Sequence, residues 1–540
     1  MSSNYWSSTT NANNPNNAWN VNFNNGNINN NNKSNNNNYV RAVRGGKCSL
    51  LSFESVYKAY LDCRRRKRGT INALKFEYKL LDNLFSLASD LQKGAYQPSR
   101  SVCFVTQSPK MREIFAADFR DRVVHHLVVR ELEKFWEPRF IHDSYACRVG
   151  KGIHGAVERL QGFMCKATKS QKQAAFFLQL DIRSFFTSID KDILFLIFRQ
   201  RIESEVLLQL LFKIIFHDCT EDYVFKGNRQ MLRKIPAQKS LFGSGKDKGL
   251  PIGNLTSQFF ANVYLNELDQ FVKHHLRCRF YLRYVDDFIL ISSSPDQLLA
   301  WREQIERFLK ERLSLELKER SSIRRVSEGA DFLGYIVRPG YILARRRVVN
   351  NLKLKLAYFQ EKVIHEFCIK GGAIWRISLE PELVGELRQV IASYLGHFQH
   401  ANTFNLVSSL FKKNNWLKEI FFMEDGRIVE RLKYRGVFRS LKAQIRFYRD
   451  RLKGYLLFFQ VGKYIELYER DALLVSERLG LKVSKGLRGK TEFVGFPKYM
   501  TDHFIRKTLS LGYNLALIAE GAVGRYVRER YVREMYELRN

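Results

Sequence analysis

Two kinds of feature are missing from this 540-residue sequence, and each absence disfavours a class of protein. The eight cysteines form no Cys-x-x-Cys pair and do not cluster with histidines, so the sequence favours neither a zinc site nor a disulfide framework. No run of ~18 uncharged apolar residues occurs, and no charged segment leads into an apolar one at the start. The sequence therefore predicts neither a membrane span nor export, and a reduced cytoplasm fits it.

Negative charge is also scarce. Lys and Arg number 89 against 54 Asp and Glu, which gives a net charge of +35 and a pI near 9.9. Such an excess favours a polyanionic partner, with nucleic acid as the first choice and a membrane surface as the alternative. The basic run Arg64–Arg68 is either a solvated face or a phosphate contact. Hydrophobic residues make up 45%, which excludes global disorder, and the length predicts roughly three domains.

Residues 1–46 differ from the rest of the chain. Asparagine fills 19 of the first 40 positions, a composition that buries little apolar surface and predicts disorder. The residues between the asparagines still alternate in a strand pattern, as in Tyr5-Trp6-Ser7-Ser8-Thr9 and Tyr39-Val40-Arg41-Ala42-Val43-Arg44. We interpret the segment as strand-rich sequence whose variable positions have been replaced by asparagine.

The sharpest chemical motif is Tyr284-Val285-Asp286-Asp287, which lies between two apolar, strand-like runs. Adjacent carboxylates at a buried edge repel each other unless a cation neutralises them, and magnesium prefers such oxygens. Asp181 ends another apolar run and supplies the third carboxylate that a pair of metal ions needs for phosphoryl displacement. An isolated Asp-Asp turn is weak evidence, but a strand-Asp followed by a hairpin Asp-Asp in a basic chain predicts a nucleotidyl-transfer site.

Further blocks flank these aspartates in a fixed order. They are Pro109–Ile114, Asp118–Arg122, Tyr145–Gly152, Gly249–Gln258 and Phe332–Tyr335. With them, about residues 50–440 resemble a reverse transcriptase. The resemblance implies an α+β fold, with fingers and palm built on an antiparallel sheet over 49–340 and a helical thumb over 341–440.

The resemblance also implies roles for individual residues. Two Mg2+ ions would be held at Asp181, Ile182, Asp286 and Asp287, the three aspartates being catalytic. The nucleotide site would use Arg112, Phe186, Ile252, Gly253, Gln258, Arg148 and Lys151, and the primer grip would be Phe332, Leu333, Gly334 and Tyr335. A ring at Phe186 would clash with a ribonucleotide 2′ hydroxyl, and Gly253, without a Cβ, would let the backbone approach the new base pair. The alternatives are that Phe186 is an ordinary core residue and that Ile252 merely packs.

Ile252 separates this chain from most of the family. Retroviral and intron enzymes commonly have glutamine there, whereas Ile-Gly-x-x-x-Ser-Gln resembles the reverse transcriptases of diversity-generating retroelements, which copy template adenines with errors. An apolar side chain cannot hydrogen-bond the nucleotide, and the loss of polar contacts reduces the energy difference between correct and incorrect base pairs. Asparagine codons carry two adenines, so residues 5–44 resemble a translated template repeat for a C-type-lectin-like target. A low-complexity tail without a role is the alternative.

Residues 446–525 resemble the mismatch-recognising N-terminal domain of MutS, through Leu456–Ala472, Val494–Pro497 and Gly512–Glu520. Tyr464 and Glu466 stand where MutS has its wedge phenylalanine and its glutamate, so these two are possible mismatch contacts. Tyrosine in place of phenylalanine, and Lys463 in place of an acidic residue, depart from that pattern. No Gly-x-x-x-x-Gly-Lys-[Ser/Thr] occurs, so the repair ATPase is not expected. The domain contacts nucleic acid or is a structural or protein-docking module.

The whole sequence thus predicts a bacterial or phage-encoded RNA-directed DNA polymerase that makes mutagenic cDNA. Its regions are an Asn-rich segment over 1–46, the polymerase, the MutS-like module, and a basic tail over 526–540. Its partners are template RNA, a cDNA or DNA primer, deoxynucleotides and an accessory variability protein, unless the fused module replaces that protein. Another reverse transcriptase class, such as an intron maturase or a phage-defence enzyme, and a non-catalytic nucleic-acid binder are the alternatives.

Overall fold

A computed structural model gives the fold of the chain. It describes residues 50–65, 69–107, 110–319, 322–369, 372–434, 436–485 and 492–539, together with the backbone of strands within 4–32. The helices are α1 (Phe53–Arg64), α2 (Ile71–Tyr78), α3 (Leu80–Gln92), α4 (Phe119–Trp136), α5 (Ile153–Ala167), α6 (Phe185–Ser188), α7 (Lys191–Arg199), α8 (Glu205–Ile215), α9 (Leu255–Gln270), α10 (Pro295–Leu313), α11 (Arg346–Val363), α12 (Pro381–Phe398), α13 (Phe404–Lys413), α14 (Leu417–Ile420), α15 (Leu441–Arg451), α16 (Arg470–Leu479) and α17 (Thr501–Ser510).

The strands follow the same chain order. They are β1 (Asn4–Asn11), β2 (Asn14–Asn22), β3 (Ile28–Asn32), β4 (Ser101–Thr106), β5 (Arg112–Ala116), β6 (Phe176–Asp181), β7 (Tyr223–Phe225), β8 (Phe280–Tyr284), β9 (Asp287–Ser292), β10 (Ile323–Arg325), β11 (Ala330–Phe332), β12 (Tyr335–Val337), β13 (Ile342–Ala344), β14 (Ile364–Ile369), β15 (Gly372–Ser378), β16 (Phe421–Glu424), β17 (Arg427–Glu430), β18 (Tyr455–Val461), β19 (Tyr464–Tyr468), β20 (Ser484–Lys485), β21 (Glu492–Pro497), β22 (Asn514–Val523) and β23 (Arg528–Arg539). The chain is therefore α+β, as the sequence predicts.

Two units make up the chain. The first contains residues 1–149, 179–288 and 299–321, and the second contains 150–178, 289–298 and 322–540. In the first unit, the long helix α4 packs against α1 and α9, and its buried positions are spaced three and four apart as in Val124, Leu127 and Val128. This unit carries β8, the turn with Asp286 and Asp287, and the aspartate at the end of β6.

The asparagine-rich segment contributes β1, β2 and β3, which form an antiparallel sheet in that order. Composition predicts disorder here, whereas the described backbone follows the strand pattern, with Tyr5 paired to Val21 and Trp6 to Asn20. The backbone hydrogen bonds of such a sheet do not depend on side-chain type, which is why asparagine is compatible with them. The Tyr39–Arg44 peptide lies outside the described residues.

The basic run near the N-terminus is only partly described. Arg64 forms an ion pair with Glu77 (Nε to Oε1, 3.0 Å), and Arg65 lies 3.5 Å from Asp62. Residues 66–68 lie outside the described part of the chain. Arg64 thus joins α1 to α2, and the exposed Arg65 has an ion pair three residues earlier in its own helix, so a solvated face and a phosphate contact both stay open.

In the second unit, one mixed sheet of eight strands joins regions that the sequence assigns to different domains. Its order is β14-β15-β23-β22-β18-β19-β21-β20. Strands β18 and β22 are parallel, and both are buried on two faces, which explains the continuous apolar run Leu456–Phe459. Alternate residues of that run point into separate cores: Leu456 and Phe458 into one, Leu457 and Phe459 into the other.

Helices cover both faces of this sheet. The core on one face contains residues of α16 and α17, such as Val475 and Phe504. The core on the other face contains residues of α15 and of the predicted thumb helices α11 and α12, such as Leu356 and Leu387. The thumb and the MutS-like region therefore share one hydrophobic core, whereas the sequence assigned them to separate domains.

Two other predictions for the second unit need correction. The thumb over 341–440 is not wholly helical, because β14 and β15 pair as antiparallel strands. Ile374 and Ile377 of β15 enter the two separate cores of the sheet. Residues 526–540 are not a tail, because β23 pairs with β22 on one side and with β15 on the other. Arginines at its exposed positions make this strand look like a basic tail in the sequence.

Among the residues that the structure describes, no helix has the length and hydrophobicity needed to cross a membrane.

Candidate active site

The Asp-Asp motif occupies the turn of the β8–β9 hairpin, as the sequence predicts. Both strands are apolar and buried through most of their length, so the two-residue turn Val285-Asp286 is the first point at which carboxylates can reach the surface. Val285 has φ 55°, a left-handed conformation that is rare for a β-branched residue. The strands thus place Asp286 and Asp287 at the end of a rigid hairpin.

Asp181 ends β6 and lies beside this turn. The backbone N–H of the next residue, Ile182, donates to the carbonyl of Asp286 at 3.3 Å. One carboxylate oxygen of Asp181 pairs with the Lys318 ammonium. The other, Oδ1, is buried and has no protein partner among the described residues. The structure therefore brings together two carboxylates that are separated by more than 100 residues in the sequence.

Burial makes these negative charges costly. The pKa of Asp286 is raised above its ordinary value, first by burial and then by the charge of Asp181. Lys318 and Arg112 act in the opposite direction and favour the ionised form. Two neighbouring carboxyls in this arrangement can both be ionised only when positive charge lies next to them.

Asp287 has a different partner. The amide Nε2 of Gln179 donates to both of its carboxylate oxygens, at 3.0 and 3.2 Å. Burial raises the pKa of Asp287 to about 7; the Gln179 hydrogen bond lowers it, and the charges of Asp181 and Asp286 raise it further. At neutral pH this carboxyl is therefore close to half protonated in the absence of a cation.

The predicted metal ligands fit a cation in part. Among the described residues, no group of three or more His, Cys, Asp and Glu side chains is arranged to hold a metal ion. The charge of Asp181 nevertheless acts on Asp286, and Oδ1 of Asp181 is buried without a protein partner among these residues. Magnesium prefers carboxylate oxygens of this kind. The side chain of Ile182 is fully buried and apolar, so only its backbone oxygen could serve as a ligand. Lys318 supplies positive charge at this position in the structure.

A second hairpin, β18–β19, carries the residues predicted for mismatch contact. Tyr464 follows the turn Gly462-Lys463 and is 54% exposed. Glu466, two residues later, is half-buried and accepts a hydrogen bond from the hydroxyl of Tyr468. Lys463 accepts at its carbonyl from the N–H of Lys498 (2.9 Å), which brings the 85% exposed Tyr499 to the neighbouring turn.

A buried ion pair supports this second turn from below. Arg530 of β23 donates to Glu520 of β22 (Nη2 to Oε1, 2.8 Å) and to the carbonyl of Gln460 (2.9 Å). The same Glu520 oxygen accepts from the N–H of Gly462 at 3.3 Å. The hairpin tip is thus fixed to the sheet while its tyrosine points into solvent.

Comparison with known proteins matches two separate stretches of the chain. Residues 105–337 match the family model described as reverse transcriptase (RNA-dependent DNA polymerase). These residues therefore form a domain similar to reverse transcriptases. Residues 442–535 match the model described as MutS domain I, so a MutS-like domain follows the reverse transcriptase domain.

Curated relatives agree with that division. The group II intron-encoded protein LtrA of Lactococcus lactis subsp. cremoris is 23% identical over 323 residues, which cover 48% of this chain and 50% of the relative. The mismatch repair protein MSH6 of Saccharomyces cerevisiae is 32% identical over 76 residues, 14% of this chain and 6% of the relative. MutS of Chlorobaculum tepidum is 30% identical over 92 residues, 15% of this chain and 10% of the relative. The chain spans about half the length of the intron-encoded relative.

A solved structure of telomerase from Candida albicans, in complex with a fragment of telomeric RNA, aligns with 61% of this chain and 59% of its own. The sequence identity is 11% and the TM-score is 0.33, a value too low to carry an argument.

Within the reverse transcriptase domain, two predicted nucleotide contacts are accessible. Arg112 is exposed at the start of β5, and its charge acts on Asp286, which is where a triphosphate would need it. Phe185 is buried in the core, while the next ring, Phe186, is only half-buried. The carbonyl of Phe186 accepts from the N–H of Leu250 (2.8 Å), which ties it to the block that contains Ile252.

Ile252 and Gly253 contact the fingers strand β5. The N–H of Phe115 donates to the carbonyl of Ile252 at 2.9 Å. Gly253 has φ 124°, and a Cβ there would lie 2.7 Å from the Cγ2 of Ile114. The close approach that requires this glycine is therefore to β5, whereas the sequence predicted an approach to the new base pair.

The remaining predicted nucleotide contacts lie in three different environments. Gln258 is exposed on α9, where its Oε1 accepts from the thiol of Cys147 at 3.5 Å. Arg148 is 7% exposed and is held by Glu137 (2.8 Å) and by the carbonyls of Ile141 and Ser144. Its guanidinium has internal partners, which corrects the prediction that it contacts template or triphosphate. Lys151 lies just before α5, in the second unit.

The predicted primer grip is a tight hairpin between β11 and β12. Phe332 pairs with Tyr335, and the turn residues Leu333 and Gly334 both have positive φ, 50° and 94°. Phe332 and Tyr335 are fully buried, so Leu333 and Gly334 form the accessible tip. Tyr335 donates to the carbonyl of His397 (2.8 Å), and the two rings stack at 4.1 Å, which joins the hairpin to α12.

Sequence reasoning missed three partners of the site: Lys318, Gln179 and Arg283. Lys318 reaches Asp181 only through the tertiary fold, and nothing in its local sequence indicates this. Gln179 had a signal, since it is a polar residue within the apolar strand Phe177–Asp181. Arg283 had the same signal in β8, where a charge interrupts a buried strand.

Proposed function

We propose that this chain is an RNA-directed DNA polymerase that extends a primer with deoxynucleotides on an RNA template. The observation that carries the proposal is the Asp181–Asp286 pair, brought together beside Arg112 in the reverse transcriptase domain. Burial and the neighbouring charge of Asp181 raise the pKa of Asp286, so this carboxyl needs a cation to stay ionised, and a nucleotidyl transferase supplies that cation with its substrate.

In this reaction the primer 3′ hydroxyl attacks the α-phosphate of the incoming nucleotide, and pyrophosphate leaves. Asp181 and Asp286 would hold two magnesium ions, which supply positive charge to the hydroxyl and to the triphosphate. Arg112 binds the triphosphate through charge-assisted hydrogen bonds. Phe186 excludes the ribose 2′ hydroxyl, and the Leu333-Gly334 tip contacts the primer.

We propose further that the copying is mutagenic at template adenines and diversifies a C-type-lectin-like target gene from a template-repeat RNA. Two features support this role. Ile252 presents an apolar side chain where glutamine would offer a hydrogen bond, and its backbone is fixed by β5. A mispaired nucleotide therefore forfeits no hydrogen bond here, and the free-energy difference between right and wrong base pairs is smaller than beside a polar residue. The asparagine-rich segment supplies codons in which adenine changes yield many residues but no stop codon.

The MutS-like domain is proposed to contact the template–cDNA duplex. Between residues 442 and 535, Lys and Arg number 19 against ten Asp and Glu, which suits a polyanion. The exposed rings of Tyr464 and Tyr499 can stack on bases, and Lys463 and Lys498 lie beside them in the sequence. Whether this domain replaces the accessory variability protein is part of the proposal.

The similarity to LtrA favours a second candidate, a reverse transcriptase of the intron-encoded kind that copies its RNA accurately. The difference between the candidates is fidelity. A non-catalytic nucleic-acid binder is a third candidate, and the intact Asp181, Asp286 and Asp287 argue against it.

Primer extension on the cognate RNA with magnesium, followed by sequencing of the cDNA, tests the proposal. The matched proteins are wild type, Asp286→Asn/Asp287→Asn and Ile252→Gln, and the matched template has its adenines recoded. We expect errors opposite adenines from wild type, fewer from Ile252→Gln, and no cDNA from the double variant. Accurate cDNA from wild type would leave the polymerase and remove the mutagenic role, and the absence of cDNA on any template would favour the binder.

A further inference from the structure

Arg283 is a fully buried arginine directly before the catalytic motif. It is the fourth residue of β8 and has 0% exposure. A buried guanidinium is tolerated only when its donors are paired. Asp269 of α9, also fully buried, accepts two of its hydrogen bonds, from Nε at 2.7 Å and from Nη2 at 2.6 Å.

The remaining donors of Arg283 reach the surroundings of the turn. Nη1 donates to the carbonyl of Val285 at 3.0 Å and to Oδ1 of Asn262 at 3.3 Å. Nη2 also donates to the hydroxyl of Ser144 at 3.1 Å. One side chain therefore links α9, the segment before Tyr145, and the turn that carries the aspartates.

The Val285 contact is the informative one. A valine at φ 55° is in the left-handed region, where a β-branched side chain is strained. Such a conformation persists only when its surroundings enforce it, and the hydrogen bond from Arg283 to the Val285 carbonyl acts on that residue directly. The next residue along the chain is Asp286.

We propose that Arg283, anchored by Asp269, is a positioning residue that holds Val285 in its left-handed conformation and so sets the placement of Asp286 and Asp287. The inference rests on the proposed polymerase function, since its consequence is metal binding and nucleotide incorporation at those aspartates. The alternative is a core ion pair whose only role is stability.

The test compares Arg283→Met, Val285→Gly and the double variant Arg283→Met/Val285→Gly in the full chain. Glycine adopts positive φ without strain, so it removes the need for the clamp. We expect Arg283→Met to lower single-nucleotide incorporation by about 100-fold, the size of effect that misplaced catalytic groups produce, and to raise the magnesium concentration for half-maximal rate. The double variant should incorporate the nucleotide about tenfold faster than Arg283→Met.

Arg201→Met is the matched control, because Arg201 pairs with Glu267 of the same helix α9 (3.2 Å) without touching the turn. A second readout is the rise in melting temperature that magnesium produces, which should be lost in Arg283→Met and return in the double variant. If Arg283→Met does not fold, Arg283→Lys, which keeps the charge and loses the fork geometry, is used with and without Val285→Gly.

The outcomes are distinct. A folded Arg283 variant that glycine at position 285 does not rescue, in rate or in magnesium stabilisation, would overturn the positioning role and leave the core ion pair. No incorporation by wild type would refute the proposed polymerase, and the magnesium-stabilisation readout would still decide whether Arg283 positions the aspartates.

Discussion

Two hairpin turns in this molecule have similar frameworks but present different side chains. The β8–β9 turn and the β18–β19 turn each follow an apolar strand, each has a left-handed residue, and each is held by a buried arginine–carboxylate pair: Arg283–Asp269 and Arg530–Glu520. The first presents buried carboxylates and uses a valine at the left-handed position. The second presents an exposed tyrosine and uses Gly462, which has φ 58° without strain.

The two turns differ in what their conformations cost. The β8–β9 turn combines backbone strain with buried negative charge, so it depends on a cation and on the side chain that enforces its conformation. The MutS-like turn has neither cost, so it tolerates change in its framework and depends on the exposed ring. Substitutions at the first turn should therefore have large effects on chemistry, and substitutions at the second should have moderate effects on binding.

The largest expected effect comes from removing one charge at the first turn. Asp286→Asn should lower incorporation by about 10³-fold or more, because electrostatic stabilisation is usually the largest single contribution to such catalysis. Glu303→Gln, an exposed carboxylate on α10, is the control and should change the rate little. The measurement is single-nucleotide incorporation under single-turnover conditions, and an Asp286→Asn rate within tenfold of wild type would contradict the assignment.

The next effect concerns the framework under the second turn. Met535 of β23 is 1% exposed in the core shared by the thumb helices and the sheet, and Met535→Ala should cost about 2–5 kcal/mol of the free energy of unfolding. Met423, 41% exposed on β16, provides the control Met423→Ala. Hydrogen exchange should show α12 and β18 losing protection together. Loss at β18 alone would mean that the thumb and the MutS-like domain are separable.

A smaller effect is expected at the exposed rings of the second turn. Tyr464→Ala and Tyr499→Ala should each weaken binding of a mispaired RNA–DNA duplex by about 1–3 kcal/mol if each ring stacks on a base. Tyr526, 57% exposed on the same domain but remote in sequence from the turn, supplies the control Tyr526→Ala. Equal binding by all three variants would favour a structural or protein-docking role.

The smallest effect is a pH dependence at the first turn. The folded-state pKa of Asp287 is about 7, against an ordinary value of 3.8, so the folded state binds the extra proton and stability falls as pH rises between those values. Asp287→Asn removes that cost and should raise the melting temperature of the metal-free protein by a few degrees at pH 8, since about 1 kcal/mol corresponds to roughly 2–4 °C. The gain should shrink at pH 4, and a gain independent of pH would contradict the shifted pKa.

The sequence predicted the position of Asp286 and Asp287 at a hairpin turn because that information is local. Two apolar runs around Asp286 and Asp287, and another ending at Asp181, are enough to place carboxylates at strand ends. The partners Lys318 and Gln179 depend on how distant segments meet, so local pattern could not pair them with the aspartates. Arg148 was misassigned because a basic residue in a family block looks available, whereas Glu137, on the preceding helical segment, already occupies it.

The second unit was predicted less well for a related reason. The MutS-like residues over 446–525 were recognised by resemblance, but residues 364–378 were included in a helical thumb and β23 in a tail. Neither segment shows a clear apolar–polar alternation, because apolar residues are adjacent in both, as in Ile374-Trp375 and Tyr531-Val532. Their strand character depends on the pairing of β15 with β23, which joins segments at opposite ends of the region.

That pairing has a consequence for how the protein is made. Residues 373–378 leave the ribosome long before residues 534–539, which become their strand partners. Contacts between such distant segments form slowly, so the helices α11 and α12 are synthesised with an apolar face that nothing yet covers. During translation the nascent chain therefore exposes an apolar surface of the kind that aggregates, until residues 528–539 have been synthesised and can pair with β15.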